Sequence, residues 1–288
     1  MWVRYSHIAV QSLLTTGSQN TASCKSQILN TCMTQLTATQ IPITQDLDTN
    51  VETLISLIDN SQGFVLTGEG SLSGYFAPPV INQCNNFTEL SSAERYVVGH
   101  ATTQGVHLLL GTGWMEPDGM PYNQVRIYHN GFQGAYSKRL LTTTLQGGGE
   151  RNAYIPGFSN SVFPLNDSTL AGVLICNDIW ATPSVSPNGN PYYVNEYAQQ
   201  GVRVLFCSVN CNVGGRVSWD PVIYTWHENH LQMYAKTFGM YIVVSGSSLS
   251  MTGEPIEKLQ CPLGIIGPDG EWIEKLELGQ TSCTTKIQ

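Results

Sequence analysis

The segment that most constrains this chain is an apolar run at residues 170–175 (LAGVLI), which ends abruptly at Cys176 and the polar pair Asn177-Asp178. A short apolar run bounded by turn-forming residues is typical of a strand buried on both faces of a sheet. In such sheets the functional groups collect just past the carboxyl ends of the strands. Cys176 lies at such an end. The run alone leaves open whether its thiol is a nucleophile or a packing residue, since free cysteine is among the most buried residue types.

Strand-like and helix-like segments alternate along the chain, which indicates an α/β fold with some antiparallel hairpins. The predicted strands are residues 7–14, 63–66, 106–111, 122–129, 134–137, 170–175, 202–207, 240–245, 262–266 and 271–275. The predicted helices are residues 46–59, 89–104, 192–200 and 222–238. Residues 15–44, rich in Thr, Ser, Gln and Asn, are predicted to be a loop or a weak helix. Because no linker-like change of composition interrupts the pattern, residues 1–288 are predicted to form a single domain.

Charge and cysteine usage exclude several function classes. The chain has 13 Lys and Arg against 21 Asp and Glu, so no basic face is expected for nucleic acid or an anionic membrane. No apolar run approaches the roughly 18 residues of a membrane span. The eight cysteines include no C-x-x-C pair, and the N-terminus lacks the layout of a secretory signal. These features predict free thiols, a reducing compartment and a cytoplasmic location.

Three predicted strands end at reactive side chains, namely Glu69, Lys138 and Cys176. A carboxylate, an ammonium and a thiol are the groups needed for acyl transfer through a thioester. The thiol needs a base or a nearby cation, because only the thiolate attacks. The developing oxyanion needs donors, which a lysine and the backbone N–H after the cysteine can supply. The three residues together therefore favour the nucleophile interpretation of Cys176.

The motifs around these residues resemble those of the nitrilase (carbon–nitrogen hydrolase) superfamily. The matching pieces are FVLTGE (64–69) with Gly74-Tyr75, Tyr122-Asn123, GAYSKRL (134–140), GVLICND (172–178), GVRVLF (201–206) and GPDG (267–270). They occur in the family's order, with 69 residues from Glu69 to Lys138 and 38 from Lys138 to Cys176. The resemblance covers most of the chain, and its specificity lies in the set of motifs rather than in any one of them.

That resemblance implies an α-β-β-α sandwich, which pairs with a second subunit to give a four-layer core, and hence a homodimer or a larger homo-oligomer. It also implies that Glu69 is the general base, that Cys176 is the nucleophile, and that Lys138 with the Asn177 N–H stabilises the oxyanion. Many family members use a second glutamate in the loop after the lysine, for which Glu150 is the candidate. Neither a metal nor an organic cofactor is expected.

The chain departs from the family pattern in two places. The family usually has proline before its first glutamate, where this chain has Gly68, and the segment 177–183 keeps the acidic residue after the cysteine but lacks the glutamate usually found further on. The predicted substrate-binding residues are Tyr75, Asn177, Trp180 and Asn210.

Two alternative sites are disfavoured by spacing. His227 and His230, with Cys207 and Cys211, suggest zinc, but a zincin helix needs histidines at i and i+4, and the cysteines have no second pair. The 222–238 helix is instead expected to be a pocket wall or a subunit interface, with Glu228 contacting Lys138. A dinucleotide fingerprint at Gly68-x-Gly70-x3-Gly74 would have to open a helix, for which Pro78-Pro79 leaves little room.

The sequence thus predicts a hydrolase that cleaves a non-peptide C–N bond of a small amide or N-carbamoyl compound through a cysteine thioester, releasing ammonia or an amine. One alternative is nitrile hydrolysis by the same three residues. Another is a catalytically weak relative that serves as a binding or assembly subunit. The expected partner is accordingly a small amide, ureido or nitrile substrate.

Overall fold

The computed structural model describes residues 33–75, 87–142, 149–181, 192–210, 219–250 and 253–288. Met33–Gln288 forms one compact unit. The strands are β1 Thr34–Ile41, β2 Phe64–Leu66, β3 His107–Met115, β4 Pro121–Tyr128, β5 Phe132–Ser137, β6 Val162–Pro164, β7 Leu170–Ile175, β8 Val202–Ser208, β9 Tyr241–Ser247, β10 Gly264–Ile266, β11 Trp272–Lys275 and β12 Ser282–Ile287. The helices are α1 Leu47–Asp59, α2 Phe87–Gln104, α3 Asn177–Trp180, α4 Tyr193–Gln199 and α5 Pro221–Phe238, with a 3₁₀ turn at Glu150–Asn152.

The strands form two groups that join at one seam. One group runs β5-β4-β3-β2-β1 with β12 antiparallel to β1. The other runs β9-β8-β7-β6, with β10 beside β9 and β11 beside β10. Strands β1 and β9 pair in parallel only at Gln40 with Gly246 and Ile41 with Ser247. Because this pairing is short, the two groups behave as two sheets that face each other.

Alternation along the strands builds the layers, since successive side chains of a strand point to opposite faces. In β3, Leu108 and Leu110 belong to a buried cluster with the apolar faces of α1 and α2, whereas Leu109 belongs to the cluster that lies between the sheets and extends under α4 and α5. Helices therefore cover the outer faces of both sheets. The predicted α-β-β-α sandwich is confirmed. Its pairing into four layers and the single domain over the whole chain stay predictions.

Helix α1 begins where the sequence predicts because Asp46 caps it, accepting a hydrogen bond from the Thr49 N–H at 2.8 Å. Helix α5 begins in the same way at Asp220, followed by Pro221 at its first position. The hairpin of β4 and β5 turns at Asn130-Gly131, both with positive φ, as a tight two-residue turn requires.

The prediction for residues 15–44 is wrong over Thr34–Ile41, which form β1 between β2 and β9. Its threonines are satisfied by distant partners, for example Thr39, whose N–H donates to Ser245 Oγ at 2.8 Å and whose hydroxyl donates to the Leu66 carbonyl at 2.8 Å. Strands β6 and β12 were not predicted from the sequence. The predicted strand at residues 7–14 lies outside the described residues.

In the described ranges, no helix combines the length and apolarity needed to cross a lipid bilayer.

Candidate active site

The carboxyl ends of β2, β7 and β8 converge where the two sheets meet. The Ser208 hydroxyl, at the end of β8, donates to the Thr67 carbonyl at 2.8 Å, and the Glu69 N–H donates to the Val209 carbonyl at 3.2 Å. Ser208 is also the register partner of Ile175, the last residue of β7. Glu69 and Cys176 are therefore brought to one place by strands of opposite sheets.

Lys138 follows β5 and lies between two carboxylates. Its Nζ donates to Glu69 Oε1 at 2.7 Å and to Glu150 Oε1 at 2.8 Å, and its side chain is fully buried. A buried ammonium is tolerated only where it is paired and hydrogen bonded. The structure thus brings together three of the four predicted catalytic side chains by direct contact, including Glu150, which the sequence indicated only by its position after the lysine.

Each carboxylate has further donors. Glu150 Oε2 accepts from the Thr142 N–H at 2.8 Å and from the Thr142 hydroxyl at 3.0 Å. Asn123 Nδ2 donates to both carboxylates, at 2.7 Å to Glu69 Oε1 and at 2.9 Å to Glu150 Oε1. Asn123 belongs to a quoted motif, yet the sequence did not indicate this role. The sequence feature that points to this role is the position of Asn123 on β4, next to the strand that ends at Lys138.

Keeping two carboxylates and one ammonium all charged in a buried site costs free energy. Burial, together with the charge of the neighbouring Glu150, raises the pKa of Glu69 to about 8 against the opposing influence of Lys138. Burial also acts to raise the pKa of Glu150, but Lys138 and the Thr142 donors outweigh it and lower that pKa below its ordinary value. Near neutral pH the pair therefore carries about one proton, mainly on Glu69.

Burial alone would lower the pKa of Lys138, but Glu150, Glu69 and the nearby Cys176 raise it well above its ordinary value. The ammonium therefore stays charged. Tyr75 responds to the same groups, since burial and then the charges of Glu150 and Glu69 raise the pKa of its phenol well above 10.

Cys176 occupies the sharp turn between β7 and α3. It is a non-glycine residue with φ of 48° and ψ of −107°, a conformation that is costly for any residue with a side chain. The turn is held by the Cys176 N–H, which donates to the Ser208 carbonyl at 2.9 Å. Strain of this kind is concentrated at functional sites.

Asp178 holds the lysine segment against this turn. Its carboxylate accepts from the N–H groups of Arg139 at 3.1 Å and Leu140 at 2.6 Å, and from the Tyr136 hydroxyl at 2.9 Å. Burial raises the pKa of Asp178 to about 6, although Lys138 acts to lower it. The sequence showed an acidic residue here, but its partners lie about 40 residues earlier in the chain and were not predicted.

Close backbone approaches at Gly68 and Gly111 explain one departure from the family pattern, the glycine before Glu69. A Cβ at residue 68 would lie 2.9 Å from the Gly246 backbone, and one at residue 111 would lie 2.2 Å from the Gly68 carbonyl oxygen. The backbones around Glu69 thus approach too closely for a side chain at either position.

The four predicted substrate-binding residues differ in their position relative to the site around Glu69. Asn210 lies at the site, because its N–H donates to Glu69 Oε2 at 3.1 Å and its Nδ2 lies 3.5 Å from the Glu69 carbonyl. Asn177 Nδ2 donates to the Leu140 carbonyl at 3.2 Å. Trp180 is buried against the His227 ring, with centroids 4.3 Å apart. Tyr75 is buried, and the charges of Glu150 and Glu69 act on its phenol.

The expected contact between Glu228 and Lys138 is wrong. Glu228 lies near the outer end of the second sheet, where it accepts from Lys275 Nζ at 2.6 Å and from Trp272 Nε1 at 3.0 Å. The nearby His227 and His230 bond through Nδ1 to the backbone carbonyls of Gln260 and Trp226. Spacing along a helix does not indicate which lysine a glutamate on that helix reaches.

Comparison with known proteins identifies the architecture. No protein-family profile and no curated protein sequence matches the chain. Among solved structures, a cysteine-to-alanine mutant of the Nesterenkonia AN1 amidase from the nitrilase superfamily superposes with a TM-score of 0.70 over 88% of this chain and 90% of its own, at 16% identity. The chain has the nitrilase fold. The two sheets and the converging strand ends described above belong to this nitrilase fold.

Two further structures share this nitrilase fold at 16% identity. One is the glutamine-dependent NAD⁺ synthetase of Acinetobacter baumannii, with a TM-score of 0.67 over 89% of this chain, which spans only 46% of the synthetase. The other is a glutamate mutant of the Nesterenkonia amidase, with a TM-score of 0.68 over 88% of this chain and 90% of its own, in which the acetamide moiety of fluoroacetamide is bound covalently to the active-site cysteine.

Proposed function

We propose that this protein is a carbon–nitrogen hydrolase that cleaves small amides or N-carbamoyl compounds through a thioester on Cys176. The observation that carries the proposal is the fully buried Lys138 ammonium, held between Glu69 and Glu150 beside a strained cysteine turn. Burying this charge cluster is costly for stability, and such clusters are typical of active sites. The covalent cysteine adduct of the amidase with the same fold is consistent with the proposal.

In the proposed reaction, Glu69 takes the proton of the Cys176 thiol, and the thiolate attacks the carbonyl carbon of the substrate. The tetrahedral oxyanion is stabilised by Lys138 and the Asn177 N–H. The C–N bond then breaks, and Glu69 returns the proton to the leaving nitrogen, which departs as ammonia or an amine. Water gives a proton to Glu69 and attacks the thioester, which releases the carboxylic or carbamic acid and restores the thiol.

The pKa of Glu69 suits this role. A general base works best when its pKa lies near the working pH, and a pKa of about 8 allows Glu69 both to accept and to return a proton near neutrality. Glu150 keeps Lys138 charged and raises the pKa of Glu69. Asn123 is a positioning residue that fixes the two carboxylates relative to each other.

The direct test compares Cys176→Ala with Cys207→Ala. Cys207 is a matched control because it is fully buried one strand away and burial raises the pKa of its thiol well above the ordinary value. Ammonia release is measured over a panel of amides, ureido acids and nitriles. We expect Cys176→Ala to lose at least about a thousandfold in rate and Cys207→Ala to keep most of it. Undiminished turnover by Cys176→Ala would refute the proposal.

The binding or assembly alternative is separated by thiol labelling. An activated Cys176 should react with iodoacetamide at neutral pH faster than Cys207 or Cys261, which are both buried. Equal reactivity would favour the non-catalytic subunit. Four of the cysteines fall in the described ranges and none of these four is in a disulfide, which supports the proposed reducing, cytoplasmic location.

We also propose a homodimer or larger homo-oligomer. The supporting observation is a set of exposed apolar side chains around α4 and α5, namely Tyr192, Val222, Ile223 and Met233. Apolar patches of this kind mark association surfaces. Light scattering should give at least twice the 31.5 kDa chain mass, and a clean monomer would contradict the proposal.

A further inference from the structure

Asn210 carries a hydrogen-bond acceptor that the fold itself does not use. The residue follows β8 and is 3% exposed, and its Oδ1 has no hydrogen-bond partner in the part of the chain that the structure describes. Buried polar atoms in native proteins are nearly always paired, so an orphan acceptor calls for an explanation. A ligand that donates a hydrogen bond to this oxygen would provide one.

The position of this oxygen indicates which part of a ligand could donate a hydrogen bond to it. The Asn210 backbone N–H donates to Glu69 Oε2, while Glu69 Oε1 is taken by Lys138 and Asn123. The side-chain amide of Asn210 is turned toward the Glu69 backbone, with Nδ2 3.5 Å from its carbonyl. The orphan Oδ1, on the same amide group, therefore lies beside the carboxyl group that exchanges a proton with the leaving nitrogen in the proposed reaction.

We infer that Asn210 Oδ1 accepts a hydrogen bond from an N–H of the substrate's leaving nitrogen, and that the site therefore selects carboxamides and ureides over nitriles. The inference rests on the proposed function and deepens it. An amide or ureide nitrogen carries hydrogens, so it can donate to Asn210. A nitrile nitrogen carries only a lone pair, which would face Oδ1 with repulsion and leave that acceptor buried and unpaired.

The preference for amides over nitriles should be large. A site built around a buried hydrogen-bonding group rejects an analogue that lacks the matching group much more strongly than an apolar pocket rejects a missing methylene. We therefore expect a preference of roughly tenfold to hundredfold for an amide over the nitrile of the same carbon skeleton, after correction for their intrinsic reactivities with a small thiol.

The test uses propionamide and propionitrile with the full chain and three variants. Asn210→Leu removes the acceptor at similar size, Asn210→Asp keeps an acceptor oxygen, and Asn166→Leu removes a side-chain amide from the turn between β6 and β7 as a matched control. Two quantities are measured. One is kcat/KM for ammonia release, and the other is the concentration of each compound that halves the rate of Cys176 alkylation by iodoacetamide. Thermal unfolding confirms that each variant is folded.

We expect Asn210→Leu to lower kcat/KM for propionamide about tenfold to hundredfold and to weaken protection by propionamide, with protection by propionitrile strengthened because the repelling acceptor is gone. Asn210→Asp and Asn166→Leu should keep the amide preference. An unchanged amide-to-nitrile ratio in Asn210→Leu, or no such preference in the natural chain, would overturn the inference. Failure of the proposed function is distinguishable, because neither compound would then be hydrolysed and Cys176 would react no faster than a peptide thiol.

Discussion

The two glutamates that share Lys138 make a quantitative prediction about pH. Both Oε1 atoms are bonded to the same Nζ, at 2.7 and 2.8 Å, which puts them at most 5.5 Å apart. At that distance and an effective dielectric constant of about 20, two unit charges repel by about 3 kcal/mol, or roughly 2 pKa units. Because the charge of Glu150 raises the pKa of Glu69, the substitution Glu150→Gln should lower it from about 8 to roughly 6.

The assay is kcat/KM for ammonia release measured from about pH 5 to about pH 9.5, which reports the free enzyme's base. Glu69 must be ionised to accept a proton, so the rate rises with pH through its pKa. The rising limb should lie near pH 8 in the natural chain and about two units lower in Glu150→Gln, whatever the loss in maximal rate. Glu116→Gln, which changes a carboxylate bonded to the Gln124 side chain outside the site, should leave the limb in place. A limb that stays or moves upward in Glu150→Gln would refute the electrostatic account.

Three further substitutions test the framework. Asn123→Leu removes the donor shared by both carboxylates and should lower kcat at least about tenfold with a smaller change in KM, whereas unchanged kcat would dismiss its positioning role. Asp178→Asn places an amide against backbone donors and should lower the free energy of unfolding in urea by about 1–3 kcal/mol; an unchanged midpoint would contradict this. Gly111→Ala would bring a Cβ to 2.2 Å from the Gly68 oxygen, so we expect the free energy of unfolding to fall by about 1–3 kcal/mol. An unchanged free energy of unfolding would show that the two backbones lie farther apart than this distance implies.

Much of the fold could be predicted because most elements carry local signals. The capped helix α1, the Asn130-Gly131 hairpin and the apolar strand β7 each follow from a short stretch of chain. Strand β1 could not be predicted, since its threonines look like a polar loop until partners more than 200 residues away, such as Ser245, are known. Local composition cannot reveal that a polar strand lies at the centre of the sheets.

The residues of the candidate site likewise divide into those that local sequence signals predict and those that they do not. Glu69, Lys138 and Cys176 stood out because each follows a strand, and parallel strands bring their carboxyl ends together. Glu150 followed from the family resemblance, and its contact with Lys138 agrees with that position. The position of Asn123 on β4 places it beside the strand that ends at Lys138, but its contacts with the two carboxylates also depend on the register of β4 and β5 and on how the following loop returns.

The central claim is that Cys176 carries the acyl group during turnover. The most direct measurement is intact-protein and peptide mass spectrometry of the chain, quenched in acid within one turnover of propionamide. We predict a propionyl thioester on the peptide that contains Cys176, formed at the rate of ammonia release and absent from Cys176→Ala. Ammonia release without any acyl adduct on Cys176, or with the adduct on another residue, would contradict the account.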